Sequence, residues 1–410
     1  MHAQQTHRLL LAVEALALVA ALAFGVALAS DGLFSTASYY TPVFDNSMLW
    51  AARARIISET GRYAETELVF GGITKTYHVP FWPAMTAALS SLSGLPIYWA
   101  IRLVSLLQVV LLGLCVFIVA KKLSGNATAG AVAVFLAFNS VNLMTWGTRT
   151  SPVSWGVVLI PFGLWAVAAD IKPFALLAAV ALALDHPPSL LVFTLSLLIF
   201  TIVSHASRAG EFLHERHLKK LASKIDFAPV IAGLAAFITY MAWHVRQTGL
   251  SCLNFKCLPQ LAAREFGKNV GMAQYFGKFP QAVGAAGLAA AAMWWLREEK
   301  IYRRVGGAVG LACIAAGAQA NNAAPIFAGL ALLLYAFASM RLPLLLISWV
   351  SACLLLANND SLGFGVFTER FLTHLDQAVA VAGGMLFAVA AEMVDALRHA
   401  RAKHALKQAN

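Results

Sequence analysis

The residues with chemical capacity are few and widely spaced. In "YYTPVFDNSMLWAARARIISETGRYAETE", residues 39–67, Asp45 precedes an amphipathic stretch and Glu65 and Glu67 follow it. "TYHVPFWP", 76–83, supplies His78, and "WGTRTSP", 146–152, supplies Arg149. "LDHPP", 184–188, supplies Asp185 and His186, and "GVFTERFLTHLD", 365–376, supplies Glu369, Arg370, His374 and Asp376. A carboxylate can act as a general base, and a guanidinium fork can hold phosphate oxygens at two points. Most of these residues also have an ordinary structural reading. Asp45 suits a helix N-cap, Glu65 and Glu67 suit a solvated loop, and Arg149 suits a short turn. His78 sits among aromatics that fit an interfacial belt, and 365–376 fits an interfacial anchor. Asp185-His186 is harder to dismiss, because an ionisable pair beside a break in an apolar run is costly unless paired or used. Arg370 and His374, four apart, share a face on a helix. No phosphate-binding glycine loop, HExxH or G-x-S-x-G occurs, and a divalent metal is left open.

The elements that must position these residues are apolar helices. The 410 residues are 60% hydrophobic and 12% charged, about half the usual charged fraction. Apolar runs of about 17–25 residues, the length of a bilayer crossing, recur along the chain. The expected fold is all-α and polytopic, a single integral membrane domain over 1–410 with no separate soluble domain. About twelve transmembrane spans are expected: 9–29, 97–120, 126–145, 152–169, 173–185, 188–205, 227–245, 280–296, 305–319, 324–340, 342–357 and 376–396. With a cytosolic N-terminus, 18 of the 30 Lys and Arg fall on the cytosolic side, the positive-inside bias. Both termini are then cytosolic, and 30–96, 246–279 and 358–375 are external. The net charge of +11 follows from this topology and implies membrane lipids as neighbours, not nucleic acid. The first run ends in "ALA" at 27–29, like a peptidase site, but it outlasts the roughly 7–15 apolar residues of a signal peptide, so a retained helix is expected.

The first external segment, 30–96, is expected to carry two interfacial helices. One runs from Asn46 to Thr60, with Met48, Leu49, Ala52 and Ile56 on its apolar face, Arg53 and Glu59 away from it, and Gly61 as its stop. The other covers about 82–93, with Trp82 half wet at the interface. The run "PFALLAAVALALD", 173–185, is too short for a full crossing and ends at His186, which implies a break below the outer surface and a cavity there. Cys115, Cys313 and Cys353 lie in apolar runs as packing residues. Cys252 and Cys257 in "SCLNFKC" are candidates for a disulfide in an oxidising compartment, or are simply two loop thiols.

The order of these features resembles the GT-C superfamily of membrane glycosyltransferases. It is carried by "FDNSMLWAARARIISETGRYAE", then "YHVPFWPAMTAALSSLSGLP", then "AGAVAVFLAFNSVNLMTWGTRTSPVSWGVVLIPFGLWA", the "LDHPPSLLVF" break and a late "ERF". The resemblance implies a mannosyltransferase-like enzyme of the plasma membrane, using a polyprenyl-phosphate-linked sugar on the external face. It implies Asp45 as the catalytic carboxylate and Arg370 on the donor phosphate, with Arg149, His186, His78, Glu65 and Glu67 as substrate-binding candidates. Asn46 and Ser47 stand where many members carry a second acid, a departure that bears on metal binding. The W-W-D signature of oligosaccharyltransferases is also missing, since "MWWLREEK", 293–300, lacks the acid, so transfer of a preassembled glycan to protein Asn is not expected. The competing classes are a multi-span transporter or lipid flippase, and a non-catalytic accessory subunit. Against transport stand the absence of repeat halves and the scarcity of central ionisable residues other than Glu14.

Overall fold

Helices follow one another almost without interruption in the computed structural model. It describes residues 2–34, 47–63, 66–69, 72–75, 80–147, 152–215, 228–248, 278–297, 299–320, 322–359 and 368–409. The elements are α1 (His2–Phe34), α2 (Ser47–Thr60), β1 (Thr66–Val69), β2 (Gly72–Lys75), α3 (Phe81–Ser93), α4 (Ile97–Ser124), α5 (Ala127–Asn139) and α6 (Val141–Gly147). They continue with α7 (Pro152–Ala168), α8 (Lys172–Ala183), α9 (Pro187–Glu215), α10 (Ala228–Thr248), α11 (Lys278–Trp295), α12 (Ile301–Ala320), α13 (Ala323–Phe337), α14 (Arg341–Ala357) and α15 (Thr368–Ala409). β1 and β2 form one antiparallel hairpin, with Thr66 opposite Lys75 and Val69 opposite Gly72.

Each expected apolar segment falls on helix. Among the described residues, four helices can cross a membrane by length and composition: Ala12–Ser30, Ile97–Ser124, Pro187–Ser207 and Arg370–Arg398. A fifth is possible if α5 and α6 are one broken span, and six further apolar helices are shorter. The count of twelve crossings is not reproduced by that measure. These apolar helices make the chain a membrane protein.

Local chemistry sets many boundaries. Gly125 closes α4 at φ 71°, its amide bonding Lys121 O at 2.8 Å. Asn126 then opens α5 by accepting from the Thr128 and Ala129 amides. A left-handed residue followed at once by an N-cap gives a tight corner, so α4 and α5 pack antiparallel. Gly61, at φ 67°, ends α2 as the sequence suggests. The segment 126–145 departs from expectation, since it bends by 82° at Ser140 instead of running straight. Ser140 is extended there, and its Oγ accepts the Leu143 amide at 3.1 Å, which starts α6 as a separate helix.

The long helix α15 packs against α11, α5 and α14, and α4 against α5, α7 and α3. The helix pair of the first loop is present, but its orientation is corrected. Among the described side chains of α2, Trp50, Arg53 and Ala54 are buried, while Ala52 and Ile56 are exposed. Trp82 is fully buried, not half wet. The cause is an aromatic stack. The Arg53 guanidinium lies 4.3 Å from the Trp50 ring centroid, and Trp50 meets Trp82 edge-on at 6.3 Å. A guanidinium over an indole is attracted by the ring's negative face, so Arg53 turns inward with its neighbour.

Candidate functional site

The break after α8 is built by two prolines. Asp185 N and His186 N both turn back to Leu182 O, at 3.2 and 3.1 Å, which finishes the helix. Pro187 and Pro188 have no amide hydrogen to continue α8, yet suit the first turn of α9. His186 therefore occupies the N-cap position, its carbonyl accepting Leu190 N at 3.0 Å. Its Nδ1 lies 2.7 Å from Ser189 Oγ. The carbonyl of Leu184, inside the break, is taken by the Phe81 amide at 2.9 Å. That bond docks the start of α3 on the break, and the Phe81 ring meets Trp155 of α7 edge-on at 5.7 Å. The first-loop helix, α7 and the "DHPP" turn thus meet at one place.

The start of α15 enters the same place. Arg370 Nη1 stands 3.4 Å from His186 Nε2. One turn on, His374 Nε2 is 2.9 Å from Ser189 Oγ, and its Nδ1 is 3.3 Å from Gln377 Oε1. Gln377 Nε2 donates to Val157 O of α7. Residues 370, 374 and 377 recur at the spacing of one helix face. Gly156 lies in α7 opposite this face, and a Cβ there would overlap Ser189 Oγ, so only glycine admits the serine. Another part of α15 is held from the other side. Asp376 Oδ2 accepts Ser140 Oγ at 2.6 Å and Asn142 Nδ2 at 3.3 Å.

These groups are enclosed. His186 is 5% exposed and His374, Gln377, Ser189 and Asp185 have no exposure, while Arg370 is half-buried. The segment around 374 is therefore core and not a wet interfacial anchor. Asp185 has no side-chain hydrogen-bond partner among the described residues, only the Gly156 backbone amide directed toward it. A buried carboxylate so poorly matched is expensive to keep charged.

Of the residues the sequence singles out, the structure brings together His186, Arg370 and His374, and seats Asp376 on the neighbouring face. Glu67 lies on β1 opposite Thr74. Asp45, Glu65, His78, Arg149 and the cysteines Cys252 and Cys257 lie outside the described residues. Among the described residues no group of three or more His, Cys, Asp or Glu is arranged to hold a metal ion. Cys115 and Cys353 are buried and unlinked, and Cys313 is partly buried.

Sequence reasoning missed Ser189, Gln377, Ser140 and Asn142. Two signals were available. Ser189 is the third residue after the His186 cap, and Gln377 is seven past Arg370, on the same face. "FNSVN", 138–142, is a polar interruption in an apolar run.

In chemical terms the arrangement offers a guanidinium with fixed neighbours at the end of an apolar helix. A file of hydrogen-bonding side chains, His186, Ser189, His374 and Gln377, leads inward from it. No protein-family model matches this sequence, and no curated protein matches it. Among solved structures, it is similar to the Archaeoglobus fulgidus oligosaccharyltransferase in its apo form. The TM-score is 0.54 at 9% identity, over 94% of this chain and 52% of that one. The same enzyme tethered to an acceptor peptide containing an NVT sequon gives a TM-score of 0.51 at 12% identity, over 94% and 50%. The chain spans about half the length of the enzyme it matches. At such identity the likeness is one of fold.

Proposed function

We propose that this protein is a membrane glycosyltransferase that moves a sugar from a polyprenyl-phosphate donor to an acceptor on the external face. The observation that carries the reading is the Arg370–His186 pair, 3.4 Å apart where α15 meets the break between α8 and α9. Arg370 begins a helix segment able to cross a membrane, the depth at which a lipid phosphate sits with its chain in the bilayer. The GT-C type of fold supports the same reading, and the sequence resemblance supplies the donor class.

In the reaction the acceptor hydroxyl oxygen bonds to the anomeric carbon while the bond from that carbon to the phosphate oxygen breaks. Asp45 takes the hydroxyl proton. The released phosphate keeps the electron pair, and Arg370 stabilises the charge that grows on it. Arg149, His78, Glu65 and Glu67 complete the donor and acceptor surfaces in this reading. Both termini are cytosolic and 30–96 is external.

The test is turnover by the purified protein in lipid, offered polyprenyl-phosphate sugars with candidate acceptors. Asp45→Asn should abolish turnover while the protein stays folded, since Asn caps a helix as well as Asp. Arg370→Lys keeps the charge and loses the fork, and should slow turnover by roughly one to two decades. Wild-type rates for both variants would overturn the assignment. Labelling by an impermeant thiol reagent at a cysteine placed at 215, but not at one placed at 70, would overturn the orientation.

A further inference from the structure

We propose that Ser189, His374 and Gln377 are positioning residues for Arg370, because they lock His186 in the neutral tautomer whose Nε2 lone pair faces the guanidinium. The proposal rests on the reading above, in which Arg370 holds a phosphate group.

The two ends of the file set the direction of every hydrogen bond in it. At the outer end, a guanidinium has five donors and no lone pair to accept with. His186 Nε2, 3.4 Å from Arg370 Nη1, must therefore accept. At the inner end, the Val157 carbonyl can only accept, so the Gln377 amide must turn its NH₂ toward it. That fixes Gln377 Oε1 toward His374 Nδ1, which then must donate across 3.3 Å. His374 Nε2 is left with its lone pair, and Ser189 Oγ donates to it at 2.9 Å. The serine oxygen then accepts, and the donor is His186 Nδ1 at 2.7 Å. Both ends impose the same order, and all five contacts obey it with both histidines neutral.

One contact opposes this order. The Ser189 amide lies 3.4 Å from His186 Nδ1 and would prefer a lone pair there. The reversed order would satisfy it, but only with His374 doubly protonated. His374 has no exposure and, among the described residues, no bonded carboxylate, so a charge there would be buried without an opposite one beside it. The shorter hydroxyl contact therefore decides the tautomer of His186.

The consequence is mechanical. Arg370 is half-buried at the first turn of α15, where a long side chain has many rotamers. An acceptor at His186 Nε2 holds one corner of the fork and leaves the choice of rotamer to the protein before any ligand arrives. With the proton on Nε2 instead, His186 would turn a donor toward a donor and lose its hold on that corner of the fork. The interior of α15 and α7 is thus coupled to the residue expected to meet the phosphate. None of the three positioning residues needs to touch ligand for this to work.

The experiment uses the full chain in nanodiscs with a long-chain polyprenyl monophosphate as the probe. Affinity is measured for the wild type, Arg370→Ala, Ser189→Ala, His186→Phe and His186→Gln, and thermal melts check that each is folded. Histidine ¹⁵N spectra report which ring nitrogen of His186 carries the proton. The expected spectrum has Nδ1 protonated and Nε2 bare. Ser189→Ala and His186→Phe should weaken the probe roughly tenfold, the effect of losing one hydrogen bond to a charged group. His186→Gln should recover most of that loss, since its Oε1 reaches the place of Nε2. A ring that merely fills space would make Phe the better substitute. Wild-type affinity in Ser189→Ala and His186→Phe, beside lost affinity in Arg370→Ala, would overturn the positioning role and leave the phosphate reading standing. A proton on Nε2 would overturn it as well. Wild-type affinity in Arg370→Ala would instead remove the phosphate reading itself.

Discussion

Two helix contacts of α15 hold it in opposite ways. Along its first three turns α15 meets α7, α9 and the bend of α5–α6 through side-chain hydrogen bonds: His374 to Ser189, Gln377 to Val157 and Asp376 to Ser140. Further along, it meets α11 and α5 at glycines that let the backbones approach closely. A Cβ on Gly287 would overlap the Ala382 carbonyl, and one on Gly384 would overlap the Ala129 carbonyl. α12 and α13 repeat the second pattern, where a Cβ on Gly310 would lie 2.8 Å from the Gly329 carbonyl. In a membrane, lipid tails are as apolar as any side chain, so association depends on close packing or on polar contacts. The glycine seam uses the first and fixes distance without direction. The polar seam uses the second, and hydrogen bonds fix direction and protonation as well. A site that must aim one guanidinium belongs in the polar seam.

The glycine seam is the more fragile of the two. Gly287→Val should be the most damaging change, since the obstacle is backbone and cannot turn away. It should cost more than about 3 kcal/mol, above the usual overpacking penalty, and leave little folded protein in a detergent melt. A Gly287→Val protein as stable as wild type would mean the seam is loose.

A smaller effect is expected at the bend. Ser140→Ala removes the cap of α6 and one of two partners of Asp376, for about 1–3 kcal/mol in unfolding free energy. Ser140→Thr keeps the hydroxyl and should recover part of it. If alanine and threonine behave alike, the bend is set by packing and the hydroxyl is incidental.

Ser189→Ala sharpens the contrast, because it should lower phosphate affinity about tenfold yet melt within a few degrees of wild type. Equal damage to stability and binding would make the polar seam a structural tie like the other. The smallest effect belongs outside both seams. Arg55 and Glu59 pair at 2.6 Å on α2, with side chains 72% and 58% exposed. Solvent and salt screen such a pair, so Arg55→Ala should leave the melting midpoint where it is.

The helices and most of their ends follow from local sequence. Apolar runs, Gly61, Gly125, Asn126 and the Pro187-Pro188 pair act within a turn or two of chain, and the structure follows them. The sequence also marked Asp185-His186 as unusual, because an ionisable pair beside a break in an apolar run stands out by type alone, whereas Arg370 was pointed to by the resemblance. What faces what was decided only in three dimensions. Arg53 was expected on the wet side of α2 and is buried, because Trp50 and Trp82 offer a ring face and a wall. The run 126–145 was expected straight and bends at Ser140, where Asp376, 236 residues away in sequence, takes the hydroxyl. His186 and Arg370 meet across 184 residues, and Ser189 and His374 across 185. A local pattern can say that a histidine caps a helix. Which of its nitrogens holds the proton depends on a guanidinium and a carbonyl brought from elsewhere in the chain, and only the packing of α7, α9 and α15 supplies both.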